Sequence, residues 1–350
     1  MGLYRQDMRT IFWEDDAVKL IDQTLLPDEF KIIECRSVDE LASAIKRLAV
    51  RGAPALEAAG GYGMALACFE RDFKDVEEIK EHLRRRAELL ASTRPTAVNL
   101  FYGIERVLER ALSGNDIDEI RKLALEEAEK IAEEDVRRNK LMGKHGAKLL
   151  EDGDTVLTYC NTGRLATVDW GTALGVIRSA VEEGKRIKVI ACETRPLNQG
   201  SRLTCWELMQ DGIDVTLITD NMVGMVMRRG MVDKVIVGAD RIVRDAVFNK
   251  IGTYTVAIVA KEHEVPFYVA APITTFDWEK TMDEVIIEER DREELIYCHV
   301  KCKRTLIAPK DVKVFNPAFD ATPLEYVTAL ITERGVIYPP YEENVPRVLR

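Results

Sequence analysis

The chain has 350 residues, 46% of them hydrophobic and 31% charged, a globular balance that excludes a disordered protein. Its net charge of −10 argues against a broad nucleic-acid surface, and no run of about 18 apolar residues exists to span a membrane. The opening MGLYRQDMRT has no apolar signal core, so a cytoplasmic protein is expected; the length suits two domains, or one large and one small.

Residues 8–36 alternate apolar and polar in short runs, RTIFWED, AVKLIDQ and FKIIECRS, which predicts short strands joined by turns. The period then changes. Ser37 followed by Glu40 is a capping-box signature for a helix over SVDELASAIKRLAV. Helical patterns continue to about Leu150, broken at RGAPA, STRPTAVN and LSGND. The span 117–139, rich in Glu, Lys, Ala and Arg, predicts one long amphipathic helix between two halves. GGYGMAL lies inside a helical pattern and follows no strand, so its glycines suit close helix packing rather than a dinucleotide.

From residue 154 apolar runs of five or six recur: TVLTY, IKVIAC, VTLIT, KVIVGAD, PFYVAA and VKVFN. Helical segments separate most of them, which predicts a parallel sheet covered on both faces. The expected fold is α/β: a Rossmann-like doubly wound parallel sheet with a smaller, mainly helical N-terminal domain that starts with short strands. The expected division is 1–120 and 121–350.

Such sheets bind ligands at the carboxyl ends of their strands. Polar or reactive residues stand at nearly every expected end: Cys160, Asn161 and Thr162; Cys192 and Glu193 through Gln199; Asp220 and Asn221; Asp240; Thr274; Asn316. Asp240, after Gly238-Ala239, suits proton transfer in a partly desolvated site or, equally, a helix N-cap. Cys160 reads either as a reactive thiol near a helix start or as a buried inert one; Cys192 shares its position.

Candidate cations are Arg51, Arg94, Arg195 and Lys250; an isolated arginine is more often a surface ion pair, and it is their recurrence in small-residue turns that favours a binding role. Arg51-Gly52-Ala53 has the form of an anion cradle ahead of a helix, and Asn249-Lys250 stands at an expected helix start. Seven scattered cysteines suit a reducing compartment rather than a disulfide framework. CHVKC, with Cys298, His299 and Cys302, lacks a second ligand pair and is read as a half-buried strand, not a metal site. EVIIEERD is read as a strand with a solvated tail, and none of the four histidines stands at a strand end.

Taken in order, VRGAPA, TRPTAVNL, YCNTGRLATVDWGTALGVI, ACETRPLNQGSRLTCWELMQDGIDVTLITD, VIVGADRI, NKIGTY and FNPAFDATP resemble the methylthioribose-1-phosphate isomerases over roughly residues 10–335. That group belongs to the wider family of the regulatory subunits of translation initiation factor 2B. The resemblance implies an aldose–ketose isomerase of methionine salvage, with Cys160 and Asp240 as the catalytic pair. It implies phosphate contacts at Arg51, Gly52, Ala53, Arg94, Gln199, Asn249 and Lys250. It further implies a homodimer that needs no metal or organic cofactor.

The chain departs from the family pattern at Leu56-Glu57, after GAPA, and at VRDAVF, one residue shorter than the usual turn before Lys250. Two other readings compete. One is a ribose 1,5-bisphosphate isomerase; the other is a non-catalytic subunit related to initiation factor 2B. The N-terminal FWEDDAVKLIDQTLLPDEF, similar to the start of the methylthioribose-1-phosphate group, favours the first reading.

Overall fold

Three short antiparallel strands open the chain in the computed structural model, which describes residues 9–95, 97–300 and 303–350. β1 (Ile11–Glu14) turns into β2 (Ala17–Ile21) through Asp15 and Asp16, both at φ +54°, the left-handed pair that a two-residue hairpin needs. β3 (Ile32–Cys35) completes this sheet. α1 (Val38–Lys46) begins with the expected capping box of Ser37 and Glu40. α2 (Ala53–Phe69) is buried at every position from Pro54 to Cys68, as an all-round apolar helix must be. α3 (Val76–Ala91) and α4 (Val98–Leu112) pack around it. The α2–α4 contact is glycine-dependent: a Cβ at Gly60 would stand 2.6 Å from the Leu100 carbonyl oxygen, and one at Gly103 2.0 Å from that of Glu57. α5 (Ile117–Ala147) follows as one continuous helix.

By its internal contacts the chain divides into one unit ending at Arg137 and including 164–170, and a second made of 138–163 and 171–350. The first unit has a core in which Ile11, Leu20, Leu41, Tyr62, Leu83, Ile104 and Ile131 are fully or almost fully buried. The expected boundary at 120 falls in the first turn of α5, whose Ala124, Ala128, Ile131 and Ala132 pack in that core.

The second unit is built on a seven-stranded sheet of order β15-β14-β10-β7-β4-β5-β6. Its strands are β4 (Thr155–Thr158), β5 (Lys188–Cys192), β6 (Asp214–Ile218), β7 (Lys234–Val237), β10 (Phe267–Ala270), β14 (Ala329–Thr332) and β15 (Gly335–Ile337). All neighbours pair in parallel except β14 with β15.

The apolar runs have a direct cause. Val156, Val189, Ile236 and Ala270 feed one core with α6 (Ala173–Glu182) and Leu208 of α7 (Cys205–Gln210). Their neighbours Leu157, Ile190, Val235 and Val269 feed the opposite core, with α8 (Val223–Arg228), α9 (Thr253–Glu262) and the C-terminal helix 341–349. Both faces are covered, so both side-chain sets must be apolar. Each fully buried Val, Leu or Ile contributes roughly 1.5–3 kcal/mol.

A small sheet of order β13-β9-β8 stands beside the large one, made of β8 (Arg241–Ile242), β9 (Ala246–Lys250) and β13 (Phe319–Pro323). The remaining pair, β11 (Tyr297–Val300) and β12 (Lys303–Leu306), forms a hairpin with the four-residue helix α10 (Glu293–Ile296) before it.

Two expected strands are absent. VKVFN is irregular, with Phe315 77% exposed, and EVIIEERD forms only an isolated bridge at Glu289, with Ile286 89% exposed. The two segments meet only through that bridge, Glu289 opposite Pro317, where Arg290 N donates to the Asn316 carbonyl at 2.9 Å and Ala318 N to that of Glu288 at 2.8 Å; among the described residues no longer ladder forms along either. The sheet position goes instead to ALIT (β14), all four residues buried. CHVKC is in β11 as far as residue 300; Cys302 lies outside the described residues. Among the described residues no helix is long and apolar enough to cross a membrane.

Candidate active site

The chain runs β4, β5, β6 to one side, then returns to place β7 on the other side of β4. The strand order therefore reverses between β4 and β7, and ligands in open α/β sheets bind outside the carboxyl ends at such a point. Cys160 follows β4 and Asp240 follows β7, so both stand on the carboxyl side of these two paired strands.

Cys160 is buried, at φ +66°. No α-helix begins beside it: a single 3-10 turn spans Arg164–Ala166, and α6 starts only at Ala173. The expectation of a thiol near a helix start is thereby corrected. Hydrogen bonds hold the turn instead. The Cys160 N–H donates to Thr194 Oγ1 at 2.8 Å, and its carbonyl accepts from Thr204 Oγ1 at 2.7 Å. Asn161 donates through Nδ2 to Glu207 Oε1 at 2.8 Å; Glu207 is itself paired with Arg178 at 2.8 Å and buried. Cys192 ends β5 with no exposure, and burial pushes its thiol far above the usual range, which suits an inert residue.

Asp240 is half-buried and leads into β8, not into a helix, which removes the N-cap reading. Its N–H donates to the Phe248 carbonyl at 2.9 Å. The shortened segment VRDAVF is a tight β8–β9 hairpin, with Ile242 opposite Val247 and Arg241 opposite Phe248. Asn249 and Lys250 are the last residues of β9, three positions ahead of α9. The Lys250 Nζ donates to the Ala318 carbonyl at 3.1 Å and lies 4.9 Å from the centre of the Phe319 ring. Gln199 is buried after β5, with Oε1 accepting no hydrogen bond among the described residues. Arg195 is occupied structurally, donating to the carbonyls of Pro196 at 2.7 Å and Leu295 at 2.8 Å.

The turn between β9 and α9 is held from β13. Asp320, opposite Asn249 in the ladder, accepts from the N–H groups of Gly252 at 2.7 Å and Tyr254 at 3.2 Å. Burial raises its carboxyl to about 6, against the lowering effect of those two N–H groups and Lys250. Tyr159 is buried next to Cys160; burial, then the charge of Asp220, pushes its hydroxyl well above the usual range. Sequence reasoning passed over Asp320 and Tyr159. The one available signal was a lone carboxylate, Asp320, in the otherwise uncharged stretch FNPAFDATP.

In the first unit, Arg51-Gly52-Ala53 heads α2 as expected. Gly52 is the N-cap, at φ +95°, and a Cβ there would stand 2.4 Å from the Ala166 carbonyl oxygen. Arg51 Nε donates to Gln23 Oε1 at 3.1 Å, and Gln23 Nε2 donates to the Leu165 carbonyl at 2.7 Å. Arg94 is half-buried in the connection from α3 to α4.

The model of the initiation factor 2 subunit family matches residues 49–339. The chain belongs to that family. A relative from Archaeoglobus fulgidus, 74% identical over 98% of this chain and 100% of its own length, carries the provisional name methylthioribose-1-phosphate isomerase. Among solved family structures, 5-methylthioribose 1-phosphate isomerase from Pyrococcus horikoshii is 44% identical, with a TM-score of 0.90 over 99% of this chain and 98% of that one. A crystal structure from A. fulgidus described as translation initiation factor eIF-2B, subunit delta, is 74% identical, with a TM-score of 0.90 over 98% and 99%.

Proposed function

We propose that this chain is an aldose–ketose isomerase that converts 5-methylthioribose 1-phosphate into 5-methylthioribulose 1-phosphate, a step of methionine salvage. One observation carries the reading. A thiol and a carboxyl, Cys160 and Asp240, follow the two strands between which the sheet order reverses, in a chain similar along its whole length to proteins bearing that name.

The substrate's anomeric oxygen carries phosphate, so its ring cannot open as a free hemiacetal. In this reading Asp240 gives a proton to the ring oxygen as the C1–O bond breaks. Hydrogen then moves from C2 to C1. C2 is oxidised to the ketone while C1 is reduced, so electrons balance within the sugar. Cys160 is the proton donor or acceptor on the C2 side, and the proton that the C2 hydroxyl gives up on becoming the ketone restores Asp240, so no net proton is gained or lost. The phosphate contacts we propose are Arg51, Gly52, Ala53, Arg94, Gln199, Asn249 and Lys250. Cationic and amide donors suit a dianion. The assembly we propose is a homodimer, and sedimentation velocity at twice the chain's 39.6 kDa would support it.

The test is purified protein with 5-methylthioribose 1-phosphate, followed by NMR for the ketose. Turnover is expected, and Cys160→Ser and Asp240→Asn are each expected to lower it at least ~1000-fold with the circular dichroism unchanged. Turnover of ribose 1,5-bisphosphate alone would replace the substrate. The similarity to a chain described as an initiation-factor subunit keeps a binding role in view, and no turnover of either sugar would favour it.

A further inference from the structure

Two residues of the strand-end network have left-handed backbones, Cys160 at φ +66° and Thr194 at φ +65°. Neither is glycine, and for a β-branched residue this region is an outlier of the kind that clusters at functional sites. The two outliers are bonded to each other, Cys160 N–H to Thr194 Oγ1 at 2.8 Å. Thr194 spends its hydroxyl proton on the Cys192 carbonyl at 3.1 Å, so its oxygen lone pairs remain for the Cys160 amide. Its own N–H and that of Arg195 donate to the two oxygens of Asp220, each at 2.7 Å. Consecutive carboxyl ends are thus linked in sheet order, from Asp220 after β6 to Thr194 after β5 to Cys160 after β4.

On its other side the Cys160 carbonyl accepts from Thr204 Oγ1 at 2.7 Å. Thr204 ends a π-helical turn, Gly200–Thr204, a local widening found often at functional sites. Thr194 and Thr204 are both fully buried.

We propose that Thr194 and Thr204 are positioning residues for the isomerisation: their hydroxyls hold the peptide groups on both sides of Cys160 and set the direction in which its side chain leaves the backbone. An extended residue at 160 would continue the in–out alternation of β4, whereas the left-handed φ takes its Cα–Cβ bond out of that alternation. The hydroxyl at 194 must both donate and accept. Serine can do this, and valine, though of the same shape as threonine, can do neither. The inference rests on the proposed function for the identity of the reaction; the hold on Cys160 does not.

The test compares Thr194→Val, Thr194→Ser and Thr204→Val in the full chain by two readouts. The first is kcat and KM for 5-methylthioribose 1-phosphate. The second is the rate at which iodoacetamide alkylates Cys160 in the folded protein, read by peptide mass spectrometry. Each valine variant is expected to lower kcat ~100-fold with KM within about twofold, the signature of lost orientation. Alkylation of Cys160 should become several-fold faster as the held backbone loosens, and Thr194→Ser should restore both values. Valine variants with wild-type kcat and alkylation rate would overturn the positioning role, while an inactive Cys160→Ser leaves the isomerase reading standing. If the wild type turns over no substrate, that reading fails and the alkylation rates alone decide the inference. Should Thr194→Val not fold, Thr204→Val carries the same comparison, and a Thr194→Ser with wild-type structure but valine-like loss of kcat would also overturn it.

Discussion

A Cβ at Gly252 would stand 2.1 Å from the Tyr159 hydroxyl, and φ there is +103°, where L side chains are strained. Gly252 also donates its N–H to Asp320. An alanine at 252 must therefore displace either the turn after Lys250 or the residue preceding Cys160. Gly252→Ala is expected to cost roughly 1–3 kcal/mol from strain and overpacking. It should lower kcat/KM by about tenfold or more through misplacement of the strand ends. Denaturant midpoints and steady-state kinetics check both, and wild-type values in the two would show that the turn tolerates a methyl group. At this scale the sequence was only partly informative. Cysteine at 160 and aspartate at 240 could be read as strand-end groups. The left-handed backbones of Cys160 and Thr194 could not, because neither residue type announces positive φ as glycine does. Asp240 looked as much like a cap as an acid, and only the β8 strand behind it removes the choice.

The β9–β13 ladder carries the next argument. Asp320 lies opposite Asn249, and burial raises its carboxyl from 3.8 to about 6. Between those two values the folded chain holds a proton that the unfolded chain has released, so stability from this group falls as pH rises. Above about 6 both states are ionised, and the folded state bears the full cost of the buried charge. Measured against Asp320→Asn, the wild type should therefore gain up to about 2 kcal/mol as pH falls from ~7.5 to ~4, a figure reduced for residual solvent contact. Chemical denaturation of both proteins across that range reads the difference directly, and a constant difference would place the titration elsewhere. Element by element, fully buried runs such as VIAC and FYVA were legible because both faces of the sheet demand apolar residues. VKVF was misread, since an alternating pattern does not say whether a partner strand is present to cover it. ALIT was passed over for a different reason: three apolar residues and a threonine are too short a run for periodicity to separate strand from helix.

For the molecule as a whole, the change of style near residue 154 marked where the sheet begins, but nothing in the sequence marks how the contacts divide. YCNTGRLATVDW reads as one motif, yet residues 164–170 belong with the first unit. There Thr10 N donates to the Val168 carbonyl at 2.9 Å, and Val168 N donates to Asp135 Oδ2 at 2.7 Å. α5 likewise has no proline or capping break where its contacts change, because a continuous helix needs none. The division can be tested at Ile131, eleven residues beyond the boundary expected from sequence and fully buried in the first unit's core. If α5 is core there, Ile131→Ala should cost about 2–5 kcal/mol through lost burial and a cavity. The readout is denaturation followed by tryptophan fluorescence. Trp13 packs against the first core and Trp278 against one core of the second unit, so variants retaining one or the other report each unit separately. The larger loss of stability is expected at Trp13. A cost below about 0.5 kcal/mol, typical of a surface position, would mean that this part of α5 is a connector rather than part of the first core.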